Sequence, residues 1–221
     1  MIQTNTAYTS VEGLEGVYSA RSGNLNCFAI ALNTKGLCLY SPVAALVGSD
    51  CAFPGDLGDL SVLLAPNHYH NKGLQPFSDR YPNAERVCSD AARPRLRKIT
   101  GLDFASLEKL REQLPKAVKI LHPEGLKTGE VWMQVQHGGT VAWIVTDAFS
   151  TERRPSGEFN TMPSMLGAFP KFGVKDASMF KSWVTQQIAA QPPTILLPCH
   201  GSPVRDRDLG TQLLTLLDTT L

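Results

Sequence analysis

Residues 63–73 read LLAPNHYHNKG. Val62-Leu63-Leu64-Ala65 is a short apolar run of the kind that fills a buried strand, and Pro66 breaks it. Asn67-His68-Tyr69-His70-Asn71-Lys72-Gly73 then reads as the loop at the strand's carboxyl end. Two of the chain's five histidines sit in this loop, one residue apart. Loops at strand ends are where a rigid sheet can hold a metal ion or a substrate. The stretch therefore marks a candidate site.

Upstream, Leu14–Ala20, Cys27–Leu32 and Gly36–Ser41 read as strands separated by turn-rich segments, an antiparallel meander. Residues 1–13 are polar and read as a loose arm or an edge strand. Pro42–Asp59 is a loop with room for one helical turn at Val43–Val47. Downstream, a short helix is expected from Gly73 to Arg80, with Pro82 ending it, and a brief strand at Ala84–Cys88. Asp90 is placed to cap a helix containing Leu96 and Ile99. Asp103 is placed to cap a second, Phe104–Leu114, with Leu107, Leu110 and Leu114 on one face. Val118–Leu121 is a short strand. Glu130–Gln136 and Thr140–Thr146 flank His137-Gly138-Gly139, and two central glycines suit the positive φ of a type I′ hairpin. Ala148–Val174 is loop-rich. Asp176 caps a helix to about Gln191 with Phe180, Trp183, Val184 and Ile188 on one stripe. Ile195–Leu197 is a last strand and Asp206–Thr219 a last helix. This order suits two sheets with helices outside better than a regular βαβ alternation.

The chain has 221 residues, 43% hydrophobic and 19% charged, with 21 basic and 20 acidic residues and a net charge of +1. That composition suits one folded α/β unit over 1–221 and gives no electrostatic case for a nucleic-acid or membrane partner. A small-molecule substrate is the expected partner. No apolar run approaches the ~20 residues of a membrane span, and no leader is visible at MIQTNTAYTSVEG. The cysteines, Cys27, Cys38, Cys51, Cys88 and Cys199, lack a CxxC pair and read as free thiols in a reducing cytoplasm.

Three polar clusters each follow an apolar strand: His68 and His70 after VLLAPN, Asp147 after VAWIVT, and His200 after ILLPC. Strands side by side in one sheet would let these ends converge. Imidazoles and a carboxylate are ligands for Zn²⁺ or Fe²⁺. Each residue also has a plainer reading: loop histidines bonded to backbone, Asp147 capping a turn, His200 a structural neighbour of Gly201. Cys199 reads as a small buried apolar residue. His122 is available as a replacement ligand, whereas His137 belongs to a hairpin tip. Arg153-Arg154 reads as a solvated loop or an acid-binding pair, and Trp132, Trp143 and Trp183 as core.

The order HxH, then a hairpin ending in Thr-Asp, then Leu-Pro-x-His-Gly near the C-terminus resembles the metallo-β-lactamase fold superfamily over nearly the whole chain. The resemblance implies an αββα sandwich of two mixed β-sheets with helices on the outer faces. It implies hydrolases with one or two metals, or iron oxidoreductases. The family's HxHxDH motif reads here His68-Tyr69-His70-Asn71-Lys72-Gly73, so Lys72 stands for the aspartate and Gly73 for the last histidine. The next ligand histidine is matched by Leu126, in Gly125-Leu126-Lys127-Thr128-Gly129. The bridging aspartate matches Asp147 and the last ligand histidine His200.

The resemblance thus implies at most one metal, Zn or Fe, among His68, His70, Asp147 and His200. It also raises Lys72 as a cation paired with Asp147 where a second metal would lie, or as a catalytic base beside it. Three functions follow. They are a one-metal hydrolase of an ester, lactone, thioester or phosphoester, a mononuclear iron oxidoreductase, and a metal-free binding protein.

Overall fold

Side chains alternate between two faces along every inner strand, and that period of two builds the layers. The computed structural model describes residues 5–48, 53, 59–152, 156–157 and 161–221. β1 (Asn5–Ser10), β2 (Val17–Ser22), β3 (Leu25–Leu32), β4 (Gly36–Tyr40), β5 (Asp59–Ala65) and β6 (Glu85–Cys88) form one sheet in that order. β7 (Val118–Leu121), β8 (Trp132–His137), β9 (Thr140–Val145), β10 (Ile195–Pro198) and β11 (Val204–Arg205) form a second, in the order β11-β10-β9-β8-β7. β1 to β4 are an antiparallel meander, with β1 its edge strand. β4, β5 and β6 are parallel, as are β9 and β10.

Phe28, Ile30, Cys38, Tyr40, Val62 and Leu64 point from the first sheet into the layer between the sheets. Met133, Val135, Ala142, Ile144, Ile195 and Leu197 meet them from the second. The alternate residues face outward. Leu37, Leu39, Leu63 and Ala65 pack on α1 (Leu74–Arg80) and α2 (Arg93–Thr100) through Leu74, Phe77 and Leu96. Trp132, Trp143 and Leu196 pack on α5 (Ala177–Ala190) and α6 (Leu209–Thr220) through Phe180, Val184, Leu213 and Leu217. The result is the αββα sandwich of two mixed sheets. Helices as short as α1 and α2, with 7 and 8 residues, are marginal in isolation, so this burial is what holds them.

At one end the sheets are tied by polar contacts. Asn26 Nδ2 donates to Pro198 O and to Gly201 O, both at 2.7 Å. Tyr40 Oη donates to Val131 O at 2.7 Å, and Val131 N donates to Pro66 O at 2.7 Å. Pro66 and Pro198 stand at the ends of β5 and β10, beside the histidines that follow them.

The hairpin at 137–140 forms as expected: His137 pairs with Thr140, and Gly138 and Gly139 have φ of 54° and 82°. Asp176 caps α5, accepting from Met179 N at 2.9 Å. Two other caps differ. Asp90 does not cap α2; it pairs with Arg93 at 2.7 Å, and Ser89 Oγ accepts from Ala92 N instead. Asp103 pairs with Arg97, and the helix it was placed to cap shrinks to α3 (Leu107–Arg111). The reason is backbone pairing: Ala105 N donates to Arg86 O, which draws residues 104–106 out beside β6. Within the loop-rich stretch after β9, α4 (Phe169–Phe172) forms as a single turn of helix. Arg153-Arg154 and Cys51 lie outside the described residues. Among the described residues, no helix is long and apolar enough to cross a membrane.

Candidate metal centre

Three of the candidate residues meet, and they come from both sheets. His70 follows β5 in the first sheet, whereas Asp147 and His200 follow the parallel neighbours β9 and β10 in the second. Convergence therefore occurs across the seam of the sandwich and not along one sheet. His70 Nε2 lies 3.1 Å from Asp147 Oδ1, His200 Nε2 lies 2.9 Å from the same oxygen, and the two imidazole nitrogens are 3.3 Å apart. These residues are one group of three side chains able to hold a metal ion among the described residues.

The loop after β5 is shaped by Asn67, which is fully buried. Its Oδ1 accepts from Tyr69 N at 2.8 Å and His70 N at 3.1 Å, an Asx-type turn that folds the histidine back. Its Nδ2 donates to Asp147 Oδ2 at 2.7 Å. One side chain thus sets His70 and fixes the carboxylate across the seam. Ser41 fixes the other side of the ring, with Oγ 2.7 Å from His70 Nδ1. Ser41 has φ of 59°, a left-handed conformation costing a non-glycine residue about 1 kcal/mol or more. Behind His200, Gly201 has φ of 103°, and a Cβ there would stand 2.1 Å from Thr151 Oγ1, so only glycine fits.

His68 stands outside this group. It is buried, its ring packs 4.4 Å from that of Tyr69, and its Nε2 has no hydrogen-bond partner among the described residues. Burial and the Arg95 guanidinium push its imidazole below the ordinary value, against the pull of Asp147. Lys72 is exposed, and among the described residues it forms no ion pair with Asp147. The expected pairing fails because Asp147 is 4% exposed and its oxygens are taken by His70, His200 and Asn67. His122 is no replacement ligand: its Nε2 lies 2.6 Å from Arg111 Nη2, and it stands outside the group of three. Leu126 is a half-buried packing residue beside α5, bridged through its backbone to Val174. His137 is exposed at the hairpin tip, and Cys199 is fully buried with its thiol pushed well up by that burial.

Burial would raise the Asp147 carboxyl, but the hydrogen bonds and charge of His200 and His70 outweigh it and hold the group well below the usual carboxylate range. Deeper in, Glu130 is 3% exposed. Its Oε1 accepts from Trp132 Nε1 at 2.7 Å and Ala148 N at 3.3 Å, while Oε2 is buried without a hydrogen-bond partner among the described residues. Burial first, and then the Asp147 carboxylate, raise it from 4.5 to about 7.

At Glu130 the folded chain thus holds a proton that the unfolded one loses between about pH 4.5 and 7, so this group lowers stability as pH rises through that window. Relative to wild type, Glu130→Gln should gain on the order of 3 kcal/mol across the window. Urea titrations of both proteins at several pH values measure this; a difference constant with pH would show Glu130 already ionised in the fold.

The donor set fits a single ion. Metal–ligand distances of about 2.0–2.2 Å put neighbouring donors of a tetrahedral or octahedral shell roughly 2.8–3.6 Å apart. The observed 2.9, 3.1 and 3.3 Å lie at or close to that range. The outer contacts of Ser41 and Asn67 are of the kind that orient metal ligands. Two clefts open on the group. One, of about 420 Å³, lies on the side of Pro42–Ala45 and Lys72; the other, of about 410 Å³, is walled by Tyr69 and Phe172.

No family model and no curated protein matches the sequence. Solved structures do. The fold is similar to DIM-1 metallo-β-lactamase, with a TM-score of 0.64 and 10% identity over 97% of each chain. It is similar to the metallo-β-lactamase FIM-1 from Pseudomonas aeruginosa in its mono-zinc form, with a TM-score of 0.62 and 12% identity over 96% of this chain and 94% of that one. It is also similar to the Flv1 flavodiiron core from Synechocystis sp. PCC6803, with a TM-score of 0.57 and 14% identity over 96% of this chain and 60% of that one. The chain has the metallo-β-lactamase fold, as a divergent example of it.

Proposed function

We propose that the protein is a metallo-hydrolase working with one ion, held by His70, Asp147 and His200. The observation that carries this is the convergence of three donor atoms at separations that one ion requires. A bound ion supplies Lewis acidity toward a carbonyl or phosphoryl oxygen and lowers the pKa of coordinated water. The chain's own residues position it. Ser41 holds the His70 ring by Nδ1 and leaves Nε2 facing inward. Asn67 ties Asp147 Oδ2 and leaves Oδ1 for the centre. Among the described residues, Asp147 is the carboxylate that lines the two clefts. Clefts of this volume take small molecules, and an ester, lactone, thioester or phosphoester is the substrate class we favour. The free described thiols suit a reducing compartment such as the cytoplasm.

The two-histidine, one-carboxylate set favours a second reading, since it is also the facial triad of mononuclear iron oxidoreductases. Loading the purified protein separately with zinc and with iron, then assaying 4-nitrophenyl esters and phosphoesters alongside oxygen uptake, separates them. Stoichiometric zinc with ester or phosphoester turnover is the expected result. Iron-dependent oxygen uptake without hydrolysis would favour the second reading. Absence of both metals would leave a metal-free binding protein and end the hydrolase reading.

A further inference from the structure

The two clefts flanking the metal centre differ in charge. The first is bounded by Pro42–Ala45, by the Asn71–Gly73 backbone and by His70 and His200. Ala44 and Ala45 present exposed methyl groups, and Val43 closes the wall behind them. Gly73 joins the two walls: a Cβ there would stand 2.1 Å from Pro42 O and 2.9 Å from Val43 N, so the main chains lie directly against each other. Lys72 rises at that junction, exposed, and among the described residues it has no ion pair or hydrogen bond. Among the described residues, no carboxylate lines this cleft. The second cleft shares Tyr69 with the first and adds Phe172, their rings 5.1 Å apart, and the Arg95 guanidinium lies 4.9 Å from the Tyr69 ring centroid; among the described residues no lysine or arginine belongs to this cleft's own lining. Among the described residues, the lysine that lines a cleft at this centre stands beside an apolar surface.

We propose that the substrate is an amphipathic anion, with a carboxylate or phosphate at Lys72 Nζ and an aliphatic segment along Pro42–Ala45. This rests on the hydrolase reading for one point: the cleavable group would lie at His70, Asp147 and His200. A cation beside an apolar wall recognises such a molecule by two independent terms, burial of the aliphatic part and attraction of the charge. The same arrangement discriminates against neutral analogues, which lose the second term. At a solvent-exposed lysine that term is worth about fivefold in affinity.

Isothermal titration calorimetry of the full chain, metal-free and zinc-loaded, with hexanoate, hexyl phosphate and 1-hexanol tests the proposal. Wild type should bind one or both anions about fivefold tighter than 1-hexanol in both forms, and the tighter anion identifies carboxylate or phosphate. In Lys72→Gln the anion-to-alcohol ratio should fall close to one. A ratio near one in wild type, or a preference that survives Lys72→Gln, overturns the proposal; the latter would place the anion at the histidines. Zinc that fails to bind while the Lys72-dependent preference persists ends the hydrolase reading alone. Zinc that binds without any Lys72-dependent preference ends this proposal alone.

Discussion

A protein with alanine at both His70 and His200 should purify without metal under conditions in which wild type retains about one ion per chain. The pair supplies two of the three donors, and the Asp147 Oδ1 left behind is a single ligand with no chelating partner. Its effect should far exceed that of changes around the centre. Ser41→Ala removes only the contact at His70 Nδ1 and should weaken binding about 10–100-fold, as loss of an outer-sphere partner does. His68→Ala should keep the metal, because that ring is outside the group. Elemental analysis of the purified proteins, with chelator competition for the affinities, checks all three. If His68→Ala lost metal as completely as the double variant, the donor set would have to be redrawn around the HxH pair.

The largest expected loss of stability comes from Trp132→Ala. Trp132 is fully buried at the centre of the layer between the second sheet and α5. Its ring lies 5.4 Å from Trp143, 5.5 Å from Phe149, 5.3 Å from Trp183 and 6.2 Å from Phe180. Truncation leaves a cavity that these rings cannot jointly fill, which costs roughly 3–5 kcal/mol. It also takes the indole donor from Glu130 Oε1, leaving a buried carboxyl poorer by one partner. Trp132→Phe keeps most of the volume and loses the same hydrogen bond, so it should cost less. Urea midpoints with unchanged m-values measure both. A cost under about 1 kcal/mol for Trp132→Ala would mean that α5 closes over the gap.

The layers were legible because each inner strand is a short apolar run that is buried on both faces. Phe28 and Ile30 face one side and Cys27 and Ala29 the other, and the same rhythm runs through β4, β5 and β9. The 137–140 hairpin and the Asp176 cap were legible because local chemistry decides them. The caps assigned to Asp90 and Asp103 failed where tertiary pairing overrode local preference, through Ala105 and Arg86 in one case. In the site, Asp147 and His200 could be located by their strands. That His70 joins them without His68 could not, because the choice depends on a turn made by Asn67 and on contacts between different sheets. The Pro-Asn step before the histidines was the available signal, since asparagine readily bonds backbone two residues on. Ser41 carried none: its role comes from one unusual backbone angle at the end of β4.

The contact between Gly73 and Pro42 decides what position 73 can carry. The Pro42 carbonyl occupies the space that any Cβ there needs, 2.1 Å from where the atom would stand. The loop that presents His70 is therefore locked to the segment after β4 by main chain alone. That lock acts as a ratchet: a side chain enters at 73 only after the Pro42–Val43 segment is rerouted.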